Sequence, residues 1–109
     1  MKIKKFLLVF ILPFLFNSQT SFADEAKMIK GLEIFNETAG CAACHVLKAA
    51  GSEGNIGPNL DTVEGLNYDS VMDIVTHGLG VMPAFGEDEI LTKEEIDIVS
   101  FYVANSVSK

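Results

Sequence analysis

Few cations, few cysteines and no long apolar run set the first limits on this chain. Eight Lys and no Arg face 15 Asp and Glu across 109 residues, a formal charge of −7. So acidic a balance argues against nucleic acid or an anionic membrane surface as partner, and suits a basic docking face on another protein. The only two cysteines, Cys41 and Cys44, sit three apart, which rules out a multi-bridge disulfide framework. A bridge between them would close a tiny loop with little chain entropy to remove, and would leave the adjacent His45 unexplained. The βαβ pattern expected around a thioredoxin-like Cys pair is missing. The longest apolar run, Phe6 to Phe16, has 11 residues interrupted by Pro13. A bilayer span needs roughly 20. Internal repeats, long linkers and low-complexity segments are also lacking.

What the N-terminus does have is the layout of an export signal. Met1-Lys2-Ile3-Lys4-Lys5 is a positive n-region, Phe6–Phe16 an apolar h-region, and Ser21-Phe22-Ala23 puts small residues where a signal peptidase reads. Cleavage is expected after Ala23, so residues 1–23 are a cleavable signal peptide and 24–109 a single exported domain. No cysteine follows the cleavage point to accept lipid, and stable membrane insertion is not expected after cleavage. The expected location is the periplasm. The mature chain would keep 5 Lys against 15 acids, a charge of −10 over 86 residues. Domains of this size bury only about 60–65% of their unfolded surface and often need a staple such as a metal or disulfide.

Cys41-Ala42-Ala43-Cys44-His45 supplies a candidate staple. Two thiols at this spacing with a following histidine match the pattern for covalent c-type haem attachment. The thiols would add across the two vinyl groups of one haem edge, and the imidazole would sit under the iron. A structural zinc site is the rival, since Cys41, Cys44, His45 and His77 make four ligands. Its spacing is poor, because adjacent Cys44 and His45 would both have to reach one small ion.

Three helices are expected. The first covers Glu25 to Glu37, with Met28, Ile29, Leu32 and Phe35 as its apolar stripe. Gly31 beside that stripe implies close approach by another helix. The second spans Tyr68 to His77, with Asn67 as N-cap, Val71, Ile74, Val75 and Leu79 as buried face, and Gly78 as stop. Met72 on this helix reads as core filler. The third opens on a capping box of Thr92 and Glu95, flanked by a Leu91/Ile96 staple, and runs to about Asn105. Its stripe is Ile96, Val99 and Val103, with Tyr102 alongside.

Two loops join these helices. In residues 48–60, Gly57-Pro58 reads locally as an ordinary turn, although a proline carbonyl could also orient a histidine ring. In residues 78–89, Met82 reads locally as a gap filler, although a thioether suits the sixth position of a haem iron.

The ordered set of features resembles the class I c-type cytochromes over residues 26–106. A first helix with Gly31 and Phe35, the Cys41–His45 motif, Gly57-Pro58-Asn59-Leu60, a helix ending at His77-Gly78, Val81-Met82-Pro83 and a last helix with Tyr102 come in the family's order. The resemblance implies an all-α cytochrome c fold of about three to five helices around one haem c, attached through Cys41 and Cys44. It implies His45 and Met82 as iron ligands, the Pro58 carbonyl as acceptor for the His45 ring, and Leu60 and Phe85 as haem-wall residues. Gly31 and Phe35 would meet the Tyr102 region where the terminal helices cross. His77 matches no family ligand. The function implied is single-electron transfer without enzymatic chemistry. The chain would act as a shuttle to a terminal oxidase or other redox partner, or as the cytochrome subunit of a periplasmic dehydrogenase such as a sulfite dehydrogenase. A monomer or a subunit of such a heteromer is expected, with a docking rim at Ala42, Ala43, Gly80, Val81 and Ala84.

Overall fold

The structure is a computed structural model that describes residues 18–107. The charged and apolar parts of the expected export signal lie outside the described residues. Three α-helices form the frame: α1 (Ser18–Glu33), α2 (Tyr68–His77) and α3 (Lys93–Ser106). One small antiparallel hairpin joins them, β1 (Val46–Leu47) with β2 (Ser52–Glu53), pairing Val46 with Glu53 and Leu47 with Ser52.

Helices α2 and α3 begin as their sequences specify. Asn67 accepts from the Ser70 N–H while the Ser70 hydroxyl accepts from the Asn67 N–H, a reciprocal cap. Thr92 and Glu95 close the same kind of box on α3, and the staple residues Leu91 and Ile96 are both buried. Caps of this type satisfy orphan donors of the first turn and contribute about 1 kcal/mol each.

Helix α1 departs from expectation at its C-terminal end. After Glu33 the backbone widens into a π-type turn over Ile34–Thr38, closed by the Ala39 N–H on the Ile34 carbonyl at 2.9 Å. The inward residues are Met28, Gly31, Ile34 and Phe35, the last two wholly buried. Ile29 and Leu32, expected inside, are 69% and 36% exposed. Each follows an inward residue by one position, about 100° round the helix. Leu79 is likewise 69% exposed, because α2 has ended before it.

α1 and α3 cross at Gly31. A β-carbon there would lie 2.3 Å from Cβ of Tyr102, so any side chain would push the helices apart. One turn on, the Phe35 and Tyr102 rings meet with centroids 6.0 Å apart at 55°, a tilted pair of the favourable kind. Asp97 on α3 accepts from Tyr68 at the start of α2 and pairs with Lys27 on α1 at 3.2 Å, so one carboxylate touches all three helices. Lys27 also stands over the Phe101 ring, 4.7 Å from its centroid. Gly31→Ala is expected to destabilise the fold by about 1–3 kcal/mol through overpacking, read as a lowered midpoint in chemical denaturation.

Candidate haem site

Residues 40–60 build one wall of a cavity and residues 78–85 the facing wall, while Phe35, Val71, Val75, Val99 and Val103 from the helices form its floor. The cavity measures about 490 Å³ and is almost wholly apolar. All seven site residues expected from the sequence line it: Cys41, Cys44, His45, Pro58, Leu60, Met82 and Phe85.

Local backbone explains how the first wall forms. A short 3₁₀ turn, Cys41–Ala43, is closed by the Cys44 and His45 N–H groups, which both reach the Cys41 carbonyl at 3.1 and 3.0 Å. The turn brings the two thiols and the imidazole to the cavity from five consecutive residues. Cys41 and Cys44 form no disulfide with one another. Burial pushes Cys41 up to about 11, so it stays protonated at neutral pH. That is opposite to the lowered pKa of a thiol–disulfide enzyme.

His45 is held at nearly every polar atom. Its N–H is used by Cys41, its carbonyl accepts from the Ser52 hydroxyl at 2.8 Å, and its Nδ1 lies 2.7 Å from the Pro58 carbonyl. A carbonyl only accepts, so Nδ1 carries the proton and neutral His45 keeps its lone pair on Nε2. Nε2 has no protein partner among the described residues. The ring also packs against Gly57, where a β-carbon would lie 2.6 Å from Cε1. Ser52 escaped the sequence reading, since one serine in a glycine-rich loop carries no local signal.

The second wall hangs from the end of α2. Gly78 takes φ +76°, a left-handed conformation in which a side chain would also strike the Met82 carbonyl at 2.7 Å. Leu79 and Met82 then exchange backbone hydrogen bonds at 3.2 and 3.0 Å, pinching 79–82 into a tight turn that holds Met82 half-buried at the cavity. Phe85 is anchored by its N–H on the Val75 carbonyl at 2.9 Å and is 7% exposed. His77 stands outside the cavity. It pairs with Glu87 at 2.6 Å and with Asp73 at 3.6 Å, bracketing this loop from both ends.

Known proteins resemble this chain in sequence and fold. The family described as "Cytochrome C oxidase, cbb3-type, subunit III" matches residues 26–103. The chain belongs to this family of c-type cytochromes. The cytochrome is also similar to a solved structure, the c-type cytochrome SorU from Sinorhizobium meliloti. The two share 44% sequence identity and a TM-score of 0.69, over 78% of this chain and 95% of that one. No curated protein sequence matches the chain. A c-type cytochrome carries covalently attached haem c and transfers electrons to and from redox partners; it is a carrier and not an enzyme. The site suits that group: an apolar cavity lined by two thiols, an imidazole and a thioether.

Gly57→Ala should press on the His45 ring and cost about 1–3 kcal/mol, seen in denaturation and as displaced His45 ring signals in NMR. A second expectation concerns pH. The hydrogen bond to Glu87, followed by the charges of Glu87 and Asp73, raises His77 above its ordinary 6.5. A raised pKa means that the pairing contributes fully below about pH 6.5 and is lost as pH climbs through the raised value. An NMR titration should place the His77 midpoint above 6.5, and Glu87→Gln should lower it.

Proposed function

We propose that the cytochrome is an exported single-electron carrier with His45 and Met82 as its axial ligands, attached to haem through Cys41 and Cys44. The observation that supports this most is the 2.7 Å contact of His45 Nδ1 with the Pro58 carbonyl. It leaves Nε2 free to ligate and orients the ring through a backbone carbonyl on a residue whose φ is fixed. Met82, on the opposite wall, offers the sulfur donor. The bound haem would supply a reversible one-electron couple, raised in potential by a thioether ligand and by an apolar surround. With haem bound, the protein's own part would be to hold the iron through His45 and Met82, keep water out of the apolar cavity and hold both side chains still between oxidation states.

Removal of residues 1–23 and residence in the periplasm belong to the same proposal, supported by the charge and apolar layout of the N-terminus. Among the described residues no helix is long and apolar enough to cross a membrane. Val81 lines the cavity and is 90% exposed, and Ala43 and Gly80, each next to a lining residue in the chain, are exposed too. Such small or apolar groups at the site's edge, on a strongly acidic chain, support docking to a redox protein with a basic face. A diffusible shuttle is the favoured form. A haem subunit of a larger dehydrogenase or oxidase is the second reading, favoured by the family's own description as an oxidase subunit.

Two measurements test the proposal. Protein matured with haem should show a c-type spectrum that survives denaturation, with a methionine-to-iron band when oxidised. Met82→Ala should abolish that band while Met72→Ala leaves it, and the reverse result would move the distal ligand. Val81→Lys, which sets a cation against the basic face, should slow electron exchange with a basic partner by about tenfold without altering the spectrum, and an unchanged rate would remove the rim from the docking surface.

A further inference from the structure

We infer that Ser52 is a positioning residue for His45, a backbone-side counterpart to Pro58. The inference rests on the proposed role of His45 as an iron ligand. Ser52 is one of two buried polar residues among those described, at 7% exposure. Burying a hydroxyl is unfavourable unless it is bonded, and Ser52 is bonded on both sides. Its O–H donates to the His45 carbonyl at 2.8 Å, and its Oγ accepts from the Leu47 N–H at 2.9 Å. The Leu47 carbonyl stands farther off, at 3.4 Å. A single side chain therefore spans the peptide units on either side of Val46 and fixes the plane in which the chain leaves His45.

The surrounding contacts show why that plane matters. Residues 52–58 run back along the motif, close enough that a β-carbon on Gly54 would lie 2.5 Å from the Ala43 carbonyl oxygen. The Gly57 N–H then donates to the Cys44 carbonyl at 2.7 Å, and the Pro58 carbonyl accepts from the imidazole Nδ1–H at 2.7 Å. The hairpin that starts this return is only two residues per strand, too short to set its own register firmly. Ser52 locks it at the residue pair Leu47–Ser52, directly behind the histidine. Without the hydroxyl, the His45 carbonyl loses its partner and the 45–46 peptide gains freedom to tilt. That tilt is passed to the ring through the His45 backbone, whose other tie is its N–H on the Cys41 carbonyl at 3.0 Å.

The test compares oxidised holoprotein with Ser52→Ala and Ser52→Thr. Haem-methyl and imidazole hyperfine shifts in NMR report the orientation of the axial ring. Ser52→Ala should change the order or spread of these shifts, and Ser52→Thr, which retains the hydroxyl, should restore them. A Ser52→Ala protein that unfolds more easily yet keeps the wild-type shifts would reduce Ser52 to a stabilising residue and overturn the inference. If Ser52→Ala yields no folded holoprotein, Ser52→Cys, nearly isosteric but a weak donor, decides: altered shifts in a folded protein uphold the role, and wild-type shifts overturn it. A wild-type protein lacking haem or the methionine-to-iron band would instead overturn the proposed function itself, so the two failures are distinguishable.

Discussion

The hydrogen bond between His45 and the Pro58 carbonyl is the constraint around which residues 40–60 are arranged. For the ring to meet that carbonyl, the chain must turn sharply at the cysteines, run away, and come back within contact of its own start. Each unusual choice in this stretch serves that return: the 3₁₀ turn at Cys41–Ala43, the short hairpin, the missing side chain at Gly57, and the buried hydroxyl of Ser52. None of it is regular secondary structure of useful length. The wall is held by specific contacts, and the helices supply the apolar floor against which it packs.

The helical frame was legible from local pattern where local chemistry decides it. Thr92 with Glu95, and Asn67 ahead of Tyr68, announce helix starts because a capping side chain acts within four residues. Gly31 announced a crossing because only a close neighbour justifies a glycine there. The losses fall where tertiary contact decides. Met28 and Phe35 face inward as the stripe implies, but Ile29 and Leu32 stand about 100° off the contact with α3, which local periodicity does not locate. Leu79 continued the apolar stripe of α2 on paper, yet the positive φ of Gly78 turns it out of the helix.

The site was legible in a different way. Cys41, Cys44 and His45 form a local motif, but Pro58 and Met82 gained meaning only from their order along the chain, and each alone reads as commonplace. The structure adds the geometry that order cannot give: a 2.7 Å contact for one, and for the other a backbone pinch between Leu79 and Met82. Ser52 lay beyond both kinds of reading. Its importance comes from where its hydroxyl points, which neither its neighbours nor its spacing reveals.

The two walls of the cavity are tied by backbone hydrogen bonds only within themselves among the described residues. Bonds of the first wall stay between Gly40 and Thr62, and those of the second run between the end of α2 and Leu91. The walls are therefore separable units. With no backbone bond running from one wall to the other, their relative position rests on side-chain packing against the helices. In that arrangement a group grasped by both walls acts as the crosslink that neither loop makes for itself.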